Sequence, residues 1–140
     1  MAPVVGSAAA GSAAAAPAAR LRALNPTPYS YCQAMEVSHA SRLLFISGQV
    51  PEDAAGQVPV DFRSQCRLAW ANVQAQLQAA GMSLDHLAKV TIYLSDRRWR
   101  GENAEVRREV LGPRTPALTI VITGIYDEAW LLEIEAWAAA

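Results

Sequence analysis

The chain has 140 residues, a net charge of −1 and an isoelectric point near 6.1. That size suits one domain, and the charge argues against a nucleic-acid binder that works by neutralising phosphates. Apolar residues make up 52% of the chain, above the usual share; no apolar run is long enough to cross a bilayer, so the surplus points to an oligomer rather than a membrane protein.

Residues 1–24 open with MAPVVGSAAAGSAAAAPAAR. This Ala/Gly/Ser/Pro composition reads as a disordered tail. With no basic segment ahead of the apolar part, it makes a poor signal peptide. The folded domain is expected over 25–140. Pro26 and Pro28 enforce extended backbone, and a strand is expected from Tyr31 to Val37. SHASR (38–42) reads as a turn and LLFIS (43–47) as a second strand, the two forming a hairpin. Cys32 and Cys66 match no metal or CxxC spacing. Both read as reduced, buried thiols, with the cytoplasm the expected location.

After a loop at 51–57, Asp61 stands where an N-cap belongs. Phe62, Cys66, Ala69, Val73, Leu77 and Ala80 then recur at helical spacing, and Gly81 takes the position just past the end. A helix is expected over 62–80. Gln65 and Asn72 share another of its faces, read as solvated or capping. HLAKVTIYLSD (86–96) alternates as a strand, with Ala88, Val90, Ile92 and Leu94 on one side. A shorter helix is expected over about 98–110, its inner stripe Trp99, Asn103, Val106 and Val110. The Arg/Glu run from Arg97 to Glu109 reads as its wet side, laced by pairs at helical spacing. A buried amide such as Asn103 must find partners; it either ties a loop down or shapes a pocket wall.

TPALTIVITG (115–124) is apolar without alternation. A strand with one wet face should alternate, so this one is expected to be dry on both. WLLEIEAWA (130–138) closes the chain. Leu132, Ile134 and Ala136 share one face; Leu131, Glu133, Glu135 and Trp137 share the other. The order ββαβαββ gives two helices, enough to cover one face of one sheet. The second face must meet another subunit, which puts Glu133 and Glu135 at or near an interface. Carboxylates there are costly unless paired, hydrated or used.

The segments LLFISGQVPEDAAGQV, QCRLAWANVQAQLQAAGMSLDHLAKVTIYLSD, Asn103, PAL and LEIEAWA together resemble the RidA/YjgF family, also labelled L-PSP endoribonuclease, over about residues 43–138. The resemblance implies an α+β chorismate-mutase-like fold and a homotrimer with a central barrel and pockets between subunits. It implies hydrolysis of reactive imines or enamines, such as 2-iminobutanoate, to 2-keto acids and ammonia, with no metal or organic cofactor. By position, Glu133 is the glutamate that orients the attacking water. Tyr29, Ser47 and Asn103 match pocket positions.

One position departs from that pattern. The family's substrate carboxylate is held by an arginine in Pro-Ala-Arg, a planar fork matched to its target. Here the sequence reads Pro116-Ala117-Leu118, and the next pocket position is Ile120. Leucine cannot bind a carboxylate; the alternative is an arginine reaching in from a loop or a neighbouring subunit, with Arg114 the leading candidate, ahead of Arg98 and Arg100. The first reading is therefore an imine or enamine deaminase whose substrate lacks the usual carboxylate. The second is a non-catalytic small-molecule-binding or regulatory trimer. The third, RNA cleavage, has the acidic isoelectric point against it, and neither nucleic-acid nor membrane partners are expected.

Overall fold

The computed structural model describes residues 2, 3, 6, 11 and 13–140. The expected tail residues 1, 4, 5, 7–10 and 12 lie outside the described residues. Six strands and two helices follow in the order β1 (Arg20–Pro26), β2 (Cys32–Ser38), β3 (Leu43–Gln49), α1 (Phe62–Ala79), β4 (Leu87–Leu94), α2 (Arg100–Leu111), β5 (Ala117–Ile122) and β6 (Leu132–Ala139). They form one mixed sheet ordered β1-β2-β5-β4-β6-β3.

The first strand corrects the expected boundary at residue 24. Arg20–Pro26 pairs antiparallel with β2, Arg22 opposite Glu36, and the two side chains form a bidentate ion pair at 3.1 Å. In Arg-Leu-Arg-Ala, Leu21 and Ala23 are half-buried while both arginines are exposed. That alternation is too short to stand out behind the alanine-rich start.

The expected hairpin of β2 with β3 is also overturned. β3 pairs with β6, whereas β2 joins β5 through a single parallel bridge, Cys32 to Ala117. The segment between β2 and β3 passes through His39 at φ 57°, and Ser41 and Arg42 donate to the Ala140 carbonyl. The turn thus delivers β3 to the C-terminal strand, while both edges of β2 are taken by β1 and β5.

The helix-side core matches its sequence pattern. Asp61 caps α1 by accepting from the Ser64 amide at 2.9 Å. Phe62, Cys66, Ala69, Trp70, Val73 and Leu77 from α1 are buried against Val90, Ile92 and Leu94 of β4 and Leu132, Ile134 and Ala136 of β6. Gln65 and Asn72 are not a solvated face. Gln65 is buried, donating to the carbonyls of Pro59 and Ala129 and accepting from the Leu131 amide. Asn72 donates to the carbonyls of Val50 and Glu52. Both amides fasten loops to α1, satisfying backbone groups that would otherwise be buried unpaired.

The wet side of α2 is likewise rearranged. Its glutamates pair across to α1, Arg63 with Glu105 and Arg67 with Glu109, so these pairs bind two helices together.

Candidate functional site

The sheet face away from the helices carries Leu43, Phe45, Val121 and Trp137 in the open, Phe45 and Trp137 being 63% and 55% exposed. Their rings meet edge to face at 4.9 Å. Glu133 and Glu135 stand on this same face, registered against Tyr93 and Thr91 of β4. The two carboxylates are held differently. Glu135 accepts from the Tyr93 hydroxyl at 2.7 Å. That bond, with burial and the charges of Glu135 and Glu133, pushes the tyrosine pKa upward. Among the described residues no hydrogen bond engages the Glu133 carboxylate.

Glu133 instead lies across the backbone of β3 at Gly48. A Cβ built on Gly48 would overlap the Glu133 carboxylate, coming within 2.6 Å of its carboxyl carbon and 2.9 Å of Cγ. The glycine of Ser-Gly-Gln therefore makes the room in which the carboxylate sits, next to exposed Ser47, at a break in register between Ile46 and Gln49. Such bulges and strand glycines commonly mark a site where something must approach the backbone.

The other predicted site residues divide. Ile120 is on the opposite, helix-side face of β5, 40% exposed, in an open cleft of about 750 Å³ between β5 and α2. Leu94, Ile122, Gly101 and Ala104 line it, together with Arg97, Arg100 and Arg107. Leu118 faces the same side as Ile120, registered beside Val90, but packs against the core and is not part of the cleft lining. Tyr29 is an exposed loop residue whose carbonyl accepts from Arg107 Nη2 at 3.2 Å. Asn103 is 1% exposed, its Oδ1 3.9 Å from Cys66 Sγ between the two helices. Arg114 is committed elsewhere, to Asp85 at 2.7 Å and the Leu111 carbonyl, while Arg98 lies over the Trp99 ring. Of the three arginines considered as substitutes for the missing clamp, Arg100 alone reaches the cleft beside Ile120.

The expected wet run from Arg97 to Glu109 is broken at Arg107. It is 5% exposed, and among the described residues its Nε and Nη1 find no partner. Burial pulls its pKa below the ordinary arginine value. One signal was present: Arg107 stands four residues after Asn103, on the same helical stripe. The thiols agree with their reading, Cys32 and Cys66 both being free and buried. Among the described residues no group of His, Cys, Asp and Glu is placed to hold a metal ion, and no helix is long and apolar enough to cross a membrane.

Residues 21–140 match the family model described as Endoribonuclease L-PSP. A RutC family protein of Pyrococcus horikoshii is 39% identical over 110 residues, covering 77% of this chain and 85% of the relative. Over 55 residues the chain is 38% identical to TdcF of Escherichia coli, which carries the name of a reactive intermediate deaminase; that match covers 39% of this chain and 43% of TdcF. The crystal structure of Escherichia coli TdcF with bound serine superposes with a TM-score of 0.68 at 29% identity, covering 79% of this chain and 87% of TdcF. A Rid family protein from Yersinia pestis superposes with a TM-score of 0.76 at 23% identity, covering 86% of this chain and 98% of that one, a likeness of fold.

Proposed function

The chain belongs to the Endoribonuclease L-PSP family, the RidA/YjgF group, and from that premise we propose that it is a deaminase hydrolysing imines or enamines of small molecules in a pocket between subunits of a homotrimer. The observation that carries this reading is the contrast between Glu135, tied to Tyr93, and Glu133, unbonded in a space that Gly48 keeps clear. A general base must be near its water and not already engaged.

In this scheme Glu133 accepts a proton as water adds to the carbon of the C=N bond, giving a carbinolamine. That proton passes to the nitrogen as the carbinolamine forms; the carbinolamine's hydroxyl proton then moves by way of the same carboxylate to the amino group, the C–N bond breaks, ammonia leaves and the carbonyl forms. Water and imine thus become ketone and ammonia with no redox partner. Acid–base help of this kind is worth about 10²–10⁴-fold. Glu133 and the cleft beside Ile120 lie on opposite faces of one sheet. A complete pocket therefore requires a second copy, whose open face would bring its Glu133 to the cleft of its neighbour. The exposed Leu43, Phe45, Val121 and Trp137 supply apolar surface for that contact. The reading includes a cytoplasmic location and no cofactor.

Leu118 in place of the clamp arginine marks the substrate as different from that of a protein with Pro-Ala-Arg. The same replacement favours the second reading, a trimer that binds small molecules without turning them over. Ammonia release from freshly generated 2-iminobutanoate and from neutral imines separates the two. We expect Glu133→Gln to lower turnover by about 10²–10⁴-fold with the oligomer intact. Glu135→Gln should cost less. Inertness of the unaltered protein towards every imine, with ligand binding retained, would leave the binding reading.

A further inference from the structure

The seat of Glu133 lies where the sheet ladder is interrupted. Pairing of β3 with β6 lapses between Ile46 and Gln49, at Ser47 and Gly48, and Glu133 is only the second residue of β6. Both stretches are fastened from behind the sheet, by α1. Gln65 donates to the Ala129 carbonyl and accepts from the Leu131 amide at 2.8 Å, two residues ahead of Glu133. Asn72 donates to the carbonyls of Val50 and Glu52 at 2.9 and 3.0 Å, the first of them two residues past Gly48. Gln76 donates to the Gln49 side chain at 3.4 Å, and Gln49 in turn donates to the Ser47 carbonyl at 3.0 Å, inside the break. Positions 65, 72 and 76 fall on one stripe at helical spacing. An amide is suited to this place: it can both give and take hydrogen bonds, and it carries no charge to be desolvated.

We propose that the amide stripe of Gln65, Asn72 and Gln76 is the positioning device of the reaction: it sets the distance between β6 at Glu133 and β3 at Gly48, and so holds the carboxylate where it meets water. The proposal rests on the deaminase reading for what the carboxylate does; the placing of Glu133 against Gly48 stands apart from it. Each half of the seat has its own clamp. Gln65 fixes where β6 begins, and a slip of one residue there would send Glu133 to the other face. Asn72 holds the chain as it leaves β3, and Gln76 braces the break through Gln49. The clamps share one frame, since all three side chains project from the same helix. The seat is narrow: a Cβ at Gly48 already overlaps the carboxylate. A displacement on the order of 1 Å at a reacting group can cost about a hundredfold in rate, so a loosened β3 is felt in turnover before it is felt in the fold. All three amides act through Glu133 and Gly48, which makes them positioning residues and not catalytic ones.

The test uses the full chain and Asn72→Ala, at a half-buried position where water can take over the two carbonyls. Ammonia release is followed from the imine that the unaltered protein turns over, 2-iminobutanoate or a neutral one. We expect kcat to fall about tenfold with KM little changed, and the circular dichroism to stay as it was. Gln76→Ala, which removes an exposed side chain, should lower kcat by less. In a Glu133→Gln background Asn72→Ala should cost little more, because no base is left to misplace. A folded Asn72→Ala protein with full kcat overturns the proposal. So does an equal loss in the Glu133→Gln background, or a rise in KM that matches the fall in kcat, since either marks a general loosening. A second readout needs no turnover. In amide NMR spectra Glu133→Gln should move the Gly48 resonance, and should move it by less when Asn72→Ala is also present. That difference in a protein inert towards every imine leaves the positioning standing and removes the deaminase; ammonia release with the Gly48 shift undiminished does the reverse. Should Asn72→Ala not fold, Gln76→Ala carries the same comparison, and full kcat with an undiminished Gly48 shift overturns the proposal there too.

Discussion

The two faces of the sheet are built from strands of similar apolar content, yet one is finished and the other is not. On the helix side, Val90, Ile92, Leu132 and Ile134 are fully buried beneath Trp70, Val73 and Leu77. On the other side, Leu43, Phe45 and Trp137 are open, and two glutamates stand among them. A single chain therefore completes one core by itself. The second face carries Glu133 and Glu135 and leaves its apolar surface uncovered in the single chain.

The sharpest way to break this comparison is to cut one tryptophan from each side. Trp70→Ala removes a fully buried ring from the finished core and should cost about 3–5 kcal/mol of folding stability, read by denaturant unfolding. Trp137→Ala removes a ring that is half in solvent in the single chain and touches Phe45. We expect it to leave the secondary structure intact and to weaken self-association, read by sedimentation at a series of concentrations. If Trp137→Ala unfolds the chain as severely as Trp70→Ala, the open face is part of the folding core and the division fails.

A smaller effect is expected at Gly48. An alanine there meets the end of a flexible side chain, so Glu133 swings away and the fold survives. The carboxylate, though, loses its seat on β3. Turnover of 2-iminobutanoate should fall by about tenfold to a hundredfold, as expected for a misplaced general base. Adding Glu133→Gln to Gly48→Ala should then cost less than Glu133→Gln does alone. Full additivity would mean that glycine and glutamate act separately.

What was legible in the sequence follows the same division. The helix-side core could be read because its burial is settled within one chain. The stripe from Phe62 to Leu77 and the alternation of β4 and β6 both survive in the structure. So did the placing of Glu133 opposite Leu132 and Ile134. Strand pairing was less legible: β2 and β3 are adjacent in sequence with a turn between them, the usual sign of a hairpin, but β2 is flanked by β1 and β5 and β3 pairs with β6. Polar residues on helices were the least legible. Gln65 reads as solvated by composition, and only the fold shows three backbone groups converging on it. Arg107 was lost in a run of charges, most of which are indeed surface. It donates to the Tyr29 carbonyl, 78 residues away, a distance over which no local pattern speaks.

The smallest expected effect concerns a titratable group sealed in the finished face. Burial pushes the Cys66 thiol from an ordinary value of 9.0 up to about 12. The folded protein therefore holds this proton after the unfolded chain has released it. Because the folded pKa is the higher one, the stabilisation is fully present below pH 9.0 and is lost progressively as pH rises towards about 12. At pH 10 the loss should be about 1.4 kcal/mol, one pH unit above the unfolded value. The measurement is the difference in unfolding free energy between the unaltered chain and Cys66→Ala from pH 7 to pH 10. This difference cancels the tyrosines and lysines that titrate in the same range. The variant will be less stable at neutral pH for want of a buried group, and the gap should narrow on the alkaline side. The open face offers the contrasting case: Tyr93 is also shifted upward, but chiefly through its bond to Glu135. Glu135→Gln should therefore bring Tyr93 back towards its ordinary value and leave the Cys66 profile unchanged. A Cys66 profile that moved with the open-face mutation would mean that the two faces do not keep separate accounts of charge.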